Sequence, residues 1–188
     1  KYLCGTKTLP LILSASSGSG ILKWWVDRSF AVHPDMRGHT GGGLSMGRGF
    51  PIVTSTKHKI NTRSSTETEI VGVDDCMPGI CWTRYFMIDQ GCGVRDTIVF
   101  QDNQSAILLE KNGKASSSKR TKHINIRYFF ITDRINNGEM RIEWCPTAQM
   151  VGDYPTKPLQ GKLFKKFRDM IMGVTQVKDP VIPQPKVK

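Results

Sequence analysis

Three strand-like runs precede the first long helical stretch, and after it strands and helices alternate to the end. That order constrains the fold more than any other feature. Strands interleaved with helices bury their apolar faces by forming one sheet with helices packed against it. Ile21-Leu-Lys-Trp-Trp-Val26 reads as the first strand; it runs into Asp27 and follows the turn-forming Ala15-Ser-Ser-Gly-Ser-Gly20. Leu44 to Lys57 reads as two strands joined near Gly49, Phe50 and Pro51. Ser64, Ser65 or Thr66 would cap a helix running towards Gln90, where Gly91 stops it, and Pro78-Gly79 predicts a kink or a break within it. Thr97 to Phe100 is a short strand ending at Asp102. Asn103 to Lys111 reads as a helix held by Ala106, Ile107 and Leu108, and His123 to Asn136 as another, closed by Asn137-Gly138. Met140 to Cys145 alternates as a last strand, followed by a short helix near Gln149 to Asp153 and a final one from Lys162 to Met172. The expected class is α/β. In such sheets, sites gather where strands end and loops diverge.

Four acids fall at such places. Asp27 ends the first strand, Glu69 lies near the start of the long helix, Asp102 ends the fourth strand, and Asp153 lies beside a helix after the last strand. An acid on its own is ordinarily a solvated surface group. Clustered carboxylates, however, hold hard divalent cations, and a pair of such ions about 4 Å apart activates water and stabilises a leaving oxygen in phosphodiester hydrolysis. Glu67 and Glu69 compete for the helical position, because residues two apart point to nearly opposite faces. Glu69 shares its side with Val73, Cys76 and Ile80, the more apolar face, so it is the one placed to reach the sheet.

Twenty-seven Lys and Arg stand against 16 Asp and Glu, a formal charge of +11 in 188 residues. The final fourteen residues contribute only +2, so the body itself is basic and suited to a polyanion such as nucleic acid. Lys111, Lys114, Lys119, Arg120 and Lys122 form a basic stretch that reads either as a grip on phosphates or as a solvated loop. Lys119, Arg120 and Lys122, with Asn103 and Gln104 beside Asp102, are the candidate nucleic-acid contacts. His123, at a helix start among cations, reads as a capping or packing residue. The five cysteines have no CxxC spacing and are odd in number, so they read as free thiols of an intracellular protein, cytoplasmic or nuclear, with neither a disulfide framework nor a zinc site. No apolar run approaches a membrane span. Opening at Lys1 without Met, the chain reads as part of something longer.

Five blocks then acquire a common meaning. Trp25-Val-Asp-Arg-Ser-Phe-Ala31, Ser64-Ser-Thr-Glu-Thr-Glu-Ile70, Asp102-Asn-Gln-Ser-Ala-Ile107, Arg120-Thr-Lys-His-Ile-Asn-Ile-Arg-Tyr128 and Asp153-Tyr-Pro-Thr-Lys-Pro-Leu159 resemble, in order, segments of the ribonuclease H domain of copia-type retrotransposon polyproteins. The resemblance covers about residues 1 to 172. It implies a mixed five-stranded sheet flanked by helices. It also implies Asp27, Glu69, Asp102 and Asp153 as the metal-binding, catalytic carboxylates. Two Mg²⁺ ions would be the cofactors, with Mn²⁺ able to substitute, an RNA–DNA hybrid would be the substrate, and a reverse transcriptase would lie in the same polyprotein or complex. Tyr2-Leu-Cys-Gly-Thr-Lys7 resembles the segment linking that reverse transcriptase to this domain. The expected organisation is therefore a connection over 1–20, a ribonuclease H-like domain over 21–174 and a Pro/Lys tail over 175–188.

The chain departs from the family pattern at Pro78-Gly79, at Gly152, where the family usually has Ala, and at Pro155. Each weakens a helix by propensity. They set up an alternative reading, in which a catalytically weakened module binds nucleic acid or a protein partner. Cys145 to Gly152 contains no histidine that could serve beside the last acid.

Overall fold

A computed structural model describes residues 2–16, 20–58, 65–112 and 122–180. In chain order the elements are α1 (Tyr2–Gly5), β1 (Ser14–Ala15), β2 (Ile21–Ser29), β3 (His39–Ser45), β4 (Gly47–Arg48), β5 (Ile52–Lys57), α2 (Ser65–Asp89), β6 (Asp96–Gln101), α3 (Gln104–Asn112), α4 (Lys122–Asn136), β7 (Arg141–Trp144), α5 (Asp153–Thr156) and α6 (Gly161–Ile171). Five strands form one sheet in the order β5-β3-β2-β6-β7. The β5, β3 and β2 strands run antiparallel, whereas β2 with β6 and β6 with β7 run parallel. A parallel neighbour needs a crossover, and the helical stretches between the strands supply it: α2 before β6, and α3 with α4 before β7.

Side-chain alternation along β2 divides the core between the two faces of the sheet. Trp24 packs with Leu22, Val26, Ile70, Val73, Met77 and Ile80, joining β2 to α2. Trp25 packs with Phe50, Ile98, Phe100, Met150 and Phe167, joining the opposite face to α6. Both indoles are 1% exposed.

Three expectations change. The first concerns β3, which begins at His39, five residues before Leu44, because Gly41-Gly-Gly43 enters the ladder. Glycine argues against a strand by propensity. At Gly41, however, a Cβ would lie 2.6 Å from Pro155 Cγ, so a bare backbone is what lets α5 come down on β3.

The second is α2, which runs unbroken through Pro78. The proline faces solvent and removes one backbone hydrogen bond, while Val73, Met77 and Ile80 hold the helix on the sheet. The third is the phase of α3. Asn103 caps it, its Oδ1 accepting from the Ser105 and Ala106 amides, and this turns Ala106, Ile107 and Glu110 inward. Leu108 is left 58% exposed rather than in the core.

The ends of the described chain are tied together. The Ile12 amide donates to the Met172 carbonyl at 2.8 Å, β1 pairs with β4, and Lys23 meets Asp179 at 2.5 Å. Residues 181–188 of the expected tail lie outside the described residues. All five cysteines are free. Among the described residues no helix is long and apolar enough to cross a membrane.

Candidate active site

Parallel pairing of β2 with β6 sets Trp25 against Phe100. Asp27 and Asp102 each stand two residues further on, at the carboxyl ends of neighbouring strands, where the sheet opens. The first turns of α2 bring in Glu69. Carboxylate oxygens of Asp27, Glu69 and Asp102 all lie within 4.8 Å of one another, and among the described residues this is the one group of three or more potential metal-ligating side chains. Asp27 and Glu69 are buried, while Asp102 is partly exposed.

Neighbouring residues fix each acid. The Thr156 hydroxyl donates to Asp27 Oδ2. The Thr147 hydroxyl donates to Asp102 Oδ2 at 3.2 Å, and the Trp144 indole N–H donates to the Asp102 carbonyl at 3.1 Å. Arg28, buried next to Asp27, donates from Nη1 to the Thr68 carbonyl and lies along Gly72, where a Cβ would be 3.2 Å from its own. That contact docks the start of α2 on β2 and sets the phase that aims Glu69 at the strands.

Asp153 sits on the other side of Asp27, at the first residue of α5. Gly152, just before it, touches β2: a Cβ there would lie 2.9 Å from both Asp27 Cβ and Asp27 N. The residue that weakens helix propensity is therefore one that lets the fourth acid approach. Pro155 falls in the first turn of α5, where its missing N–H is no loss. Asp153 is not part of the close trio. It is joined to Asp27 through the Lys157 ammonium, 2.7 Å from Asp153 Oδ1 and 3.5 Å from Asp27 Oδ2.

Crowded, buried carboxylates resist ionisation. Burial first, then the charges of Asp27 and Asp102, push Glu69 up to about 9, against the pull of Lys157. Burial and then Asp27 push Asp153 up to about 6 and also raise Asp102. Burial opposes the charge on Lys157, but Asp27 and Asp153 together carry it above its ordinary value. Behind the site Glu110 is fully buried on α3, and burial takes it up to about 8. The buried Glu69 Oε2 has no hydrogen-bond partner. A compact set of hard oxygen donors, mutually repulsive and with one buried oxygen unpartnered, fits a hard divalent cation.

A stability profile tests this electrostatic picture. Between the ordinary glutamate value of 4.5 and about 9, the native metal-free protein keeps a proton on Glu69 that the unfolded chain has lost. Rising pH therefore favours unfolding throughout that window. In EDTA the melting temperature should fall from pH 5 to 9, and Glu69→Gln should make the fall shallower. A flat wild-type profile would contradict the burial of the acid.

The structure thus brings together Asp27, Glu69 and Asp102, with Asp153 one lysine away. Of the candidate nucleic-acid contacts, Gln104 is exposed at the start of α3 and Asn103 is its cap. Lys119, Arg120 and the side chain of Lys122 lie outside the described residues. Sequence reasoning assigned no role to Thr156 or Lys157. The available signal was a Lys four residues after an Asp, the spacing that pairs opposite charges on one helix face.

No family model matches the chain. It is 28% identical over 172 residues to the retrovirus-related Pol polyprotein from transposon TNT 1-94 of Nicotiana tabacum, covering 91% of this chain and 13% of that protein. It is 31% identical over 179 residues to the corresponding polyprotein from transposon RE1 of Arabidopsis thaliana, covering 94% of this chain and 12% of that protein. The chain thus spans about an eighth of the length of these curated relatives. Among solved structures it is similar to a ribonuclease H1 isolated from compost by a metagenomic approach, with a TM-score of 0.51 at 9% identity, covering 68% of this chain and 86% of that one. It is also similar to the N-terminal ribonuclease H domain of a Mycobacterium tuberculosis protein, with a TM-score of 0.50 at 10% identity, covering 79% and 96%. At such identities the likeness to the two structures concerns the fold alone.

Proposed function

Because this chain has the ribonuclease H fold and resembles the Pol polyproteins of copia-type retrotransposons over most of its length, we propose that it is a metal-dependent endonuclease that cleaves the RNA strand of RNA–DNA hybrids. The observation that carries this reading is the convergence of Asp27, Glu69 and Asp102 from three separate elements to within 4.8 Å. A merely folded basic domain has no reason to crowd three carboxylates, two of them buried, because each loses hydration by it.

In this reading Asp27, Glu69, Asp102 and Asp153 hold Mg²⁺, for which Mn²⁺ substitutes. When bound, such ions supply the positive charge that activates an attacking water and stabilises the leaving oxygen of the scissile phosphodiester. The protein's own part is positional. Thr156 and Thr147 fix the carboxylates of Asp27 and Asp102, Arg28 fixes the helix that carries Glu69, and Gly152 lets the start of α5 pack directly on Asp27. Lys119, Arg120 and Lys122 hold phosphates of the hybrid, with Asn103 and Gln104 beside Asp102 as further contacts. The natural partner is a reverse transcriptase in the same polyprotein or complex.

Neutralising Lys119, Arg120 and Lys122 together should weaken hybrid binding and reduce the log–log salt slope by about one unit per lost phosphate contact. Fluorescence anisotropy over a salt series reads this, and an unchanged slope would make the stretch a plain solvated loop. The activity itself is tested by incubating a labelled RNA–DNA hybrid with the protein and Mg²⁺, beside duplex RNA and duplex DNA.

A further inference from the structure

The four acids are not equally provided with positive charge. Among the described residues, Lys157 forms ion pairs with Asp27 and Asp153, and Glu69 and Asp102 have no cation within ion-pair distance. Its ammonium stands in the gap between Asp27 and Asp153. The trio of Asp27, Glu69 and Asp102 on the other side keeps an unpartnered buried oxygen. Asp27 belongs to both halves. Lys157 also follows the end of α5 with extended backbone, and its side chain is 36% exposed against 2% and 5% for the two acids it bridges. The acids are fixed in the wall of the site, whereas the lysine reaches them from the solvent side on a flexible stem.

We propose that Lys157 is a built-in counter-cation that occupies the gap between Asp27 and Asp153 until a second divalent ion displaces it. The inference rests on the metal-binding reading given above. Two cations do not share one gap a few ångströms wide, because their repulsion there exceeds what two carboxylates return. A first ion therefore loads at Asp27, Glu69 and Asp102, where Lys157 is paired with Asp27 alone and at 3.5 Å rather than the 2.7 Å of its contact with Asp153. A second must expel the ammonium, and it binds more weakly by the cost of doing so. In the metal-free protein the same lysine offsets the crowding of the acids and holds α5 against β2. The site is thus stable before it is loaded, and full loading is confined to conditions in which divalent ion is plentiful.

Titration calorimetry of the full chain with MgCl₂ tests this without reference to activity. The wild type should show two binding events, the second weaker. Lys157→Met and Lys157→Gln both remove the charge, and the Gln retains a hydrogen-bond donor. Both variants should tighten the weaker event by about tenfold or more and the stronger one by clearly less. Adding Asp153→Asn should abolish the gain, because the gap then lacks its second acid. Thermal melting supplies a second reading: both variants should melt below wild type in EDTA and regain that loss in saturating Mg²⁺. A weaker event that is unchanged or further weakened in both variants would overturn the proposal and make Lys157 a structural prop. If all proteins bind two ions with the same pair of affinities, this inference alone falls. If none binds a divalent ion, the metal-dependent function falls and takes this inference with it.

Discussion

Asp102→Asn is expected to reduce Mg²⁺-dependent cleavage of a hybrid to background while leaving hybrid binding and the fold intact. The amide keeps the shape of the carboxylate, and the Thr147 hydroxyl can still donate to its oxygen. It loses the negative charge, without which a hard cation is poorly held. Removing one acid from a buried, repulsive cluster also relieves its neighbours, because the charge of Asp102 is among those pushing up Glu69 and Asp153. The variant should therefore melt slightly above wild type in EDTA. Glu67→Gln is the companion. Glu67 lies two residues from Glu69 and outside the close trio, so this change should leave cleavage close to wild type. Activity lost in Glu67→Gln and kept in Glu69→Gln would mean that α2 presents its other face to the strands.

The largest loss of stability is expected at Trp25. The indole is 1% exposed, with ring centroids 4.9 Å from Phe100 and 5.3 Å from Phe50, and it joins the sheet to the cluster that holds Phe167 of α6. Trp25→Ala should cost about 3–5 kcal/mol, from lost transfer energy and from the cavity left between two layers that cannot close on it. Against a total stability of about 5–15 kcal/mol, that takes much of the margin of a single domain. Urea denaturation should show the midpoint moving down at nearly constant slope. Trp82→Ala serves as the comparison: that indole is 61% exposed and stacked on Phe86, and its loss should be small. Similar costs at the two positions would mean that Trp25 is not the centre of its layer.

Much of this was legible in the chain because the signals were local and strong. Ile21-Leu-Lys-Trp-Trp-Val26 reads as a strand running into Asp27, and the structure has that strand carry Asp27. The apolar side of the helix after Ser65 chose Glu69 over Glu67. Features that depend on what arrives from elsewhere were not legible. The strand reads as starting at Leu44, and the part that Gly41-Gly-Gly43 plays in it emerges only when Pro155 is seen to lie against Gly41. Pro78 reads as a helix breaker until the contacts of Val73, Met77 and Ile80 are seen to outweigh one missing hydrogen bond. Gly152 and Pro155 look like damage to a helix, yet one allows close approach to Asp27 and the other sits where a first turn tolerates it. Lys157 shows in sequence only its spacing from Asp153; its other partner, Asp27, is 130 residues earlier in the chain and 3.5 Å away in space.

The central claim is that the converged acids make a nuclease that selects RNA paired with DNA. It is tested most directly by one substrate labelled differently on its two strands. With Mg²⁺ the RNA strand of the hybrid should be cut at internal positions while its DNA strand stays whole, duplex RNA and duplex DNA should stay whole beside it, and EDTA should stop the reaction. A hybrid left intact in both Mg²⁺ and Mn²⁺, or a DNA strand cut as readily as the RNA strand, would contradict the account.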